Sequence, residues 1–249
     1  VKDADIVIFA SGISPSLEGE EMGVNLPGFK KGDRTDIELP AVQRELIDAL
    51  HRAGKKIILV NCSGSPIGLE PETQKCEAIL QAWYPGQQGG KAVAEVLFGD
   101  YNPAGKLPVT FYRNVSQLPD FEDYNMTGRT YRYMQDVPLF PFGYGLSYTT
   151  FGYGKTVLDK NELTAGQSLK LTVPVTNTGK RNGEEVVQVY LRKQGDAEGP
   201  IKTLRAFKRV SIPAGKTVNV EFDLKDKELE WWDDQSNTVR VCPGNYDIM

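Results

Sequence analysis

The sequence is poor in the side chains that most often carry metal and thiol chemistry: 249 residues include one histidine, His51, and three cysteines, Cys62, Cys76 and Cys242. A catalytic cysteine wants a histidine partner, and a metal site wants ligands at defined spacing. Neither pattern occurs, so no metal is expected and the cysteines are expected to be free or structural. His51, beside Arg52 on an amphipathic segment, is expected at the surface. No apolar run approaches the roughly 18 residues of a membrane span. A basic region leading into a cleavable apolar stretch is also missing. The chain opens at Val1 and enters a strand at once, which reads as a piece of a longer polypeptide with any targeting signal upstream. Charge of one sign is lacking too: 29 Lys and Arg against 33 Asp and Glu leave a net charge of -4, spread along the chain. That balance argues against nucleic acid as a partner.

What is present is an ordinary globular composition, 40% hydrophobic and 25% charged, at a length that suits two domains. Up to about Gly105, apolar runs alternate with helix-period segments, the pattern of βαβ units and a mostly parallel sheet. Strands are expected at Ile6–Ala10, Ile57–Val60 and Ala78–Trp83. One helix is expected to open at Pro40 with Val42, Leu46, Ala49 and Leu50 on its apolar face, and another to run from Lys91 to Phe98. Gly105 to Phe151 is rich in Pro, Gly and aromatics without a period, as suits a packed connector. Beyond it the period becomes two, with strands expected at Leu169–Val175, Glu185–Leu191, Leu204–Ile212, Val218–Leu224 and 245–249. That spacing implies an antiparallel sandwich, in which Trp231 and Trp232 face opposite ways.

Ligands of open α/β sheets bind outside the carboxyl ends of the strands. Three loops reach that edge: Ser11 to Leu39, Asn61 to Glu72, and Tyr84 to Gly90. The first carries six carboxylates, Glu18, Glu20, Glu21, Asp33, Asp36 and Glu38. Solvated charge is the plain account of such a loop, and helix-dipole stabilisation covers Asp36 and Glu38. A calcium loop lacks its ligand spacing, and a phosphate-accepting site lacks an Asp at the strand end. General acid catalysis suits the chemistry better, because breaking a glycosidic bond needs a carboxylic acid to protonate the leaving oxygen and a second carboxylate to attack the sugar.

The order of motifs resembles glycoside hydrolase family 3, the β-glucosidases and β-xylosidases, over nearly the whole chain. The resemblance is carried by Leu17-Glu18-Gly19-Glu20, Gly32-Asp33-Arg34-Thr35 and Trp83-Tyr84-Pro85-Gly86-Gln87-Gln88-Gly89-Gly90. It continues through Leu97-Phe98-Gly99-Asp100-Tyr101-Asn102-Pro103, Thr130-Tyr131-Arg132-Tyr133 and Phe140-Pro141-Phe142-Gly143-Tyr144-Gly145. It implies a three-layer α/β sandwich domain over residues 1–112, incomplete at its N-terminus, a wrapping connector over 113–152, and a fibronectin type III-like (immunoglobulin-like) sandwich over 153–249. It also implies an upstream barrel bearing the nucleophile, which this chain does not contain. The implied reaction is exo-acting hydrolysis of β-linked xylo- or gluco-oligosaccharides with retention and no cofactor, in an extracellular or periplasmic setting. In xylosidase-like members the second Glu of the loop is the acid/base. That position is Glu20 here, with Glu18 as a sugar-contacting or pKa-shaping neighbour and Glu21 as an alternative donor. An insertion, Met22 to Lys31, separates this loop from Gly32. The partners expected are therefore an oligosaccharide and the barrel of the same polypeptide, with a homodimer left open, and the chain alone is expected to be inactive. A non-catalytic carbohydrate-binding or adhesion module is the competing reading.

Overall fold

The computed structural model describes residues 1–18 and 23–249, so Glu20 and Glu21 lie outside the described residues. Two compact units are present: one comprises residues 1–98, 108–130 and 134–142, the other 99–107, 131–133 and 143–249.

In the first unit, β1 (Ile6–Gly12), β4 (Lys56–Cys62) and β5 (Ala78–Gln81) form a parallel sheet in the order β1-β4-β5, with Ile6 opposite Lys56 and Ile58 opposite Ala78. The β-branched run of β4 suits the central place, where both faces are covered. Between β1 and β4 lie a two-residue-stranded hairpin, β2 (Phe29–Lys30) with β3 (Asp33–Arg34), and helix α1 (Ala41–Arg52). The hairpin turns on Lys31 and Gly32, both at positive φ (56° and 99°), the backbone that a tight two-residue turn requires. A helical turn, α2 (Glu70–Thr73), precedes β5, and α3 (Gly89–Phe98) follows it. Ile13, Leu39, Ile47, Ile57, Leu59, Ile67 and Leu69 form the core.

Two expectations need correction here. Helix α1 buries Ile47 and Leu50, whereas Val42 and Leu46 are 71% and 47% exposed and Ala49 is also exposed. The inward stripe is completed by Gln43 and Arg44, whose polar ends are hydrogen-bonded to the rest of the unit, so binary pattern alone misplaces the face. Strand β5 ends at Gln81 and not at Trp83, because Trp83 adopts φ 57° and turns the chain out of the sheet. The Pro- and aromatic-rich residues that belong to this unit are ordered: Phe111 is 1% exposed, bridges to Phe140, and stacks edge-on with Trp83 at 6.0 Å. Asn61, the first residue of an Asn-Cys-Ser glycosylation pattern, is fully buried and donates to Gln81 at 2.6 Å. Burial closes that acceptor in the folded chain.

In the second unit, β6 (Phe151–Tyr153), β7 (Val157–Leu158), β8 (Leu169–Asn177) and β11 (Thr217–Leu224) make one antiparallel sheet. The other is made by β9 (Gly183–Lys193), β10 (Thr203–Ile212) and β14 (Tyr246–Ile248). Alternating residues of β8, β9 and β11, such as Leu171, Val173, Val175, Val187, Val189, Val220 and Phe222, share one core, as two facing sheets require. A single turn at Thr130–Tyr133, α4, and another at Asp226–Leu229, α5, are the short helices here and at its border, and a hairpin of β12 (Glu230–Asp233) and β13 (Thr238–Val241) follows α5. Trp231 is buried and Trp232 is 51% exposed, as strand alternation demands. The three cysteines are free.

Candidate active site

The loops after β1, β4 and β5 meet at the carboxyl edge of the parallel sheet. Gly12 ends β1 at φ 120°, with a Cβ position only 1.8 Å from the Cys62 carbonyl oxygen, so no other residue fits. Its peptide is clamped by Gln43 of α1, whose amide oxygen accepts from Gly12 N–H (2.9 Å) and whose nitrogen donates to Gly12 C=O (2.8 Å). Ile13 N–H then bonds to Cys62 C=O at 3.0 Å, and a turn closed by Leu17 N–H to Ser14 C=O (2.9 Å) presents Glu18.

Glu18 is held by donors from two separate segments, the loops after β4 and β5. Its Oε1 accepts from the Ser65 hydroxyl, and its Oε2 accepts from the Gly64 N–H (3.1 Å) and from the Tyr84 hydroxyl. Arg34 donates to Ser65 Oγ at 3.1 Å and lies 3.8 Å from Glu18 Oε1. The end of the insertion noted in the sequence supplies β2 (Phe29–Lys30), which pairs with β3 and so places Arg34 here. Burial lowers the pKa of the Arg34 guanidinium, against the pull of Glu18, Asp36 and Glu38. Burial, reinforced by the bond to the Glu18 carboxylate, pushes the Tyr84 phenol up to about 12. The Tyr84 oxygen also lies 2.9 Å from the Ile13 carbonyl, so its single proton stays within the loop junction.

Beneath this edge, Arg44 ties α1 to α2 and to the loop before it. Its guanidinium donates to Glu72 Oε1 (2.8 Å) and Oε2 (3.2 Å), to Glu38 Oε2 (2.7 Å) and to Gly68 C=O (2.8 Å). Glu72 has no exposed surface. Burial alone depresses the Arg44 pKa, but the hydrogen bonds it donates to Glu72 and Glu38 outweigh it and hold the charge. Glu38 is thus a structural ion-pair member, and Asp36 accepts from the Glu38 N–H at 3.0 Å. Among the described residues, no group of three His, Cys, Asp or Glu side chains is placed to hold a metal ion.

Sequence reading singled out Glu18 but not Ser65 or Tyr84 as its partners; the signal available was that all three loops reach one sheet edge. Residues 1–148 match the model of the glycosyl hydrolase family 3 C-terminal domain, and residues 185–249 match a fibronectin type III-like domain. The chain belongs to glycosyl hydrolase family 3. A xylan 1,4-β-xylosidase from Xylanibacter ruminicola is 59% identical over 100% of this chain and 29% of its own length. A periplasmic β-glucosidase from Salmonella typhimurium is 38% identical over 99% of this chain and 32% of its own. Among solved structures, a β-glucosidase from Erythrobacter marinus superimposes with a TM-score of 0.85 at 40% identity, covering 100% of this chain and 33% of that one. The chain therefore spans about a third of these family 3 relatives. None of its described helices is long and apolar enough to cross a membrane.

Proposed function

We propose that this chain supplies the general acid/base, Glu20, to a retaining, exo-acting β-glycosidase whose nucleophile lies in another part of the polypeptide. The observation that carries the reading is the anchoring of Glu18 by Ser65, Gly64 and Tyr84, two positions before Glu20, at the sheet edge where α/β ligands bind. Such an anchor fixes the root of the loop that presents the acid. Glu18 is poorly suited to be the acid itself, because Oε2 already accepts two hydrogen bonds and its side chain is 14% exposed. Oε1 keeps one acceptor direction, which suits the sugar-contacting role. Glu21 is the alternative donor.

In the reaction so assigned, Glu20 protonates the glycosidic oxygen as the nucleophile attacks the anomeric carbon, forming a glycosyl ester. The resulting Glu20 carboxylate then takes a proton from water, which attacks the same carbon and restores the configuration. Xylo-oligosaccharides are the favoured substrates, on the strength of the 59% identical xylosidase, and gluco-oligosaccharides the second choice. The first unit is assigned as the family's three-layer α/β sandwich, completed by residues outside this chain. Exposed Ile6, Ile8 and Val42 (53%, 50% and 71%) are apolar surface available to the rest of the polypeptide. An extracellular or periplasmic setting is consistent with the Salmonella relative.

The test is turnover of aryl β-xylosides by the full-length polypeptide carrying Glu20→Gln, with Glu18→Gln and Glu21→Gln beside it. A loss of about 100-fold or more, rescued by azide only at Glu20, is expected. Near-normal turnover at Glu20 would reject the assignment. The 249-residue chain alone should show no hydrolysis above background.

A further inference from the structure

The second unit carries a groove of about 420 Å³ with Trp232 in its wall and a second depression of about 280 Å³ beside it; Trp232, Asp196 and Asp234 line both. Trp231 accounts for the packing: it is 5% exposed, lies edge-on to Tyr246 at 5.9 Å and under the Arg205 guanidinium at 5.0 Å. Trp232, one residue on, faces outward. Its indole N–H donates to Asp234 Oδ1 at 2.8 Å, which satisfies the polar edge and fixes the ring while leaving half of its surface in water. A large aromatic held rigid and exposed between two depressions is a stacking platform.

The rest of the lining selects the ligand. Carboxylates (Asp196, Glu198, Glu230, Asp234) and guanidiniums (Arg132, Arg205) share the groove. An anion would face the carboxylates, and an organic cation would face the guanidiniums. Asp196 and Asp234 are moreover engaged by the indole N–H groups of Trp231 (3.0 Å) and Trp232. A neutral ligand bearing hydroxyl groups, each both donor and acceptor, meets acceptors and donors together, and its apolar C–H face matches the indole. Resting on the β-glycosidase reading above, we infer that this groove, lined by residues of the second unit, is a binding site for a β-linked pyranose chain. It would hold part of a polymeric substrate, or retain an oligosaccharide between turnovers.

The experiment is titration of the 249-residue chain with xylohexaose and cellohexaose, read by tryptophan fluorescence and by calorimetry. Saturable binding in the millimolar range or tighter is expected. Trp232→Ala should weaken it about tenfold or more, Trp232→Tyr should restore part of it, and the melting curve should not move. Glu20→Gln should leave binding intact, which separates this site from the proposed catalytic loop. Absence of saturable binding would overturn the proposal, as would equal binding by Trp232→Ala or displacement of the sugar by tetramethylammonium.

Discussion

Tyr84 donates its hydroxyl hydrogen to the carboxylate of Glu18, a residue 66 positions earlier in the chain. The ring reaches that far only because Gly64 lies between the two: a Cβ there would come within 2.6 Å of Tyr84 Cε2 and 3.0 Å of Glu18 Oε2. The loops after all three strands of the parallel sheet are thereby joined in one polar knot at the edge assigned to catalysis.

Gly64→Ala should therefore push the tyrosine ring off Glu18. Overpacking of this kind costs about 1–3 kcal/mol, and a loop displaced by about 1 Å can lose 100-fold in rate. Thermal unfolding of the 249-residue chain and kcat/KM of the full-length polypeptide are the readouts. An unchanged melting temperature together with unchanged turnover would show that the knot is dispensable.

Tyr84 should titrate late. Its pKa is raised from 10 to about 12, so the fold favours the protonated phenol. The stability this provides is fully present below pH 10, declines as the unfolded chain ionises, and is lost as the pH rises through about 12. The difference in melting temperature between the wild type and Tyr84→Phe should be constant up to pH 9 and shrink above pH 10. A tyrosinate difference spectrum with its midpoint at pH 10 would contradict the hydrogen bond to Glu18.

Removing one partner of the Arg44–Glu72 pair should cost far more than removing both. Glu72→Ala leaves the guanidinium with Glu38 and Gly68 but exposes it to an apolar cavity, and breaking a buried pair typically costs about 3–5 kcal/mol. Arg44→Met combined with Glu72→Met replaces the charges with volume and should recover a large part of that loss. Urea unfolding of the three variants decides it; a Glu72→Ala cost below about 1 kcal/mol would mean that the pair contributes no stability.

The thiol of Cys76 should be unreactive at neutral pH. Burial, with the nearby Glu72 carboxylate, pushes its pKa up to about 11, against the pull of Lys75. Its thiolate fraction at pH 8 is then about 100-fold or more below that of an ordinary cysteine. Alkylation by iodoacetamide followed by mass spectrometry should leave Cys76 largely unmodified in the native chain and modify it after unfolding. Rapid native labelling would place it in a more open setting.

Most strands and helices are readable from local pattern because a strand or helix exposes its period within one window of sequence. The β-branched run Lys56–Cys62 and the alternation in Leu169–Asn177 announce themselves in this way. Even the opposite facing of Trp231 and Trp232 follows from a period of two. The face of α1 does not, since Gln43 and Arg44 look like solvent residues until their partners, Gly12 and Glu72, are known to lie beneath them.

The alternation of strands and helices in the first unit, the sandwich pattern of the second, and the acidic loop that follows β1 are all legible in the order of residues. Folding alone reveals that Glu18 is captured by Ser65 and Tyr84, that the β2–β3 hairpin brings Arg34 to them, and that Trp232 stands between two depressions. For the Glu18 contacts the cause is the separation of the partners along the chain. Parallel pairing carries residues 46 to 66 positions apart to one edge of a sheet, and hydrogen-bond partners at such separations leave no periodic trace in the chain that encodes them.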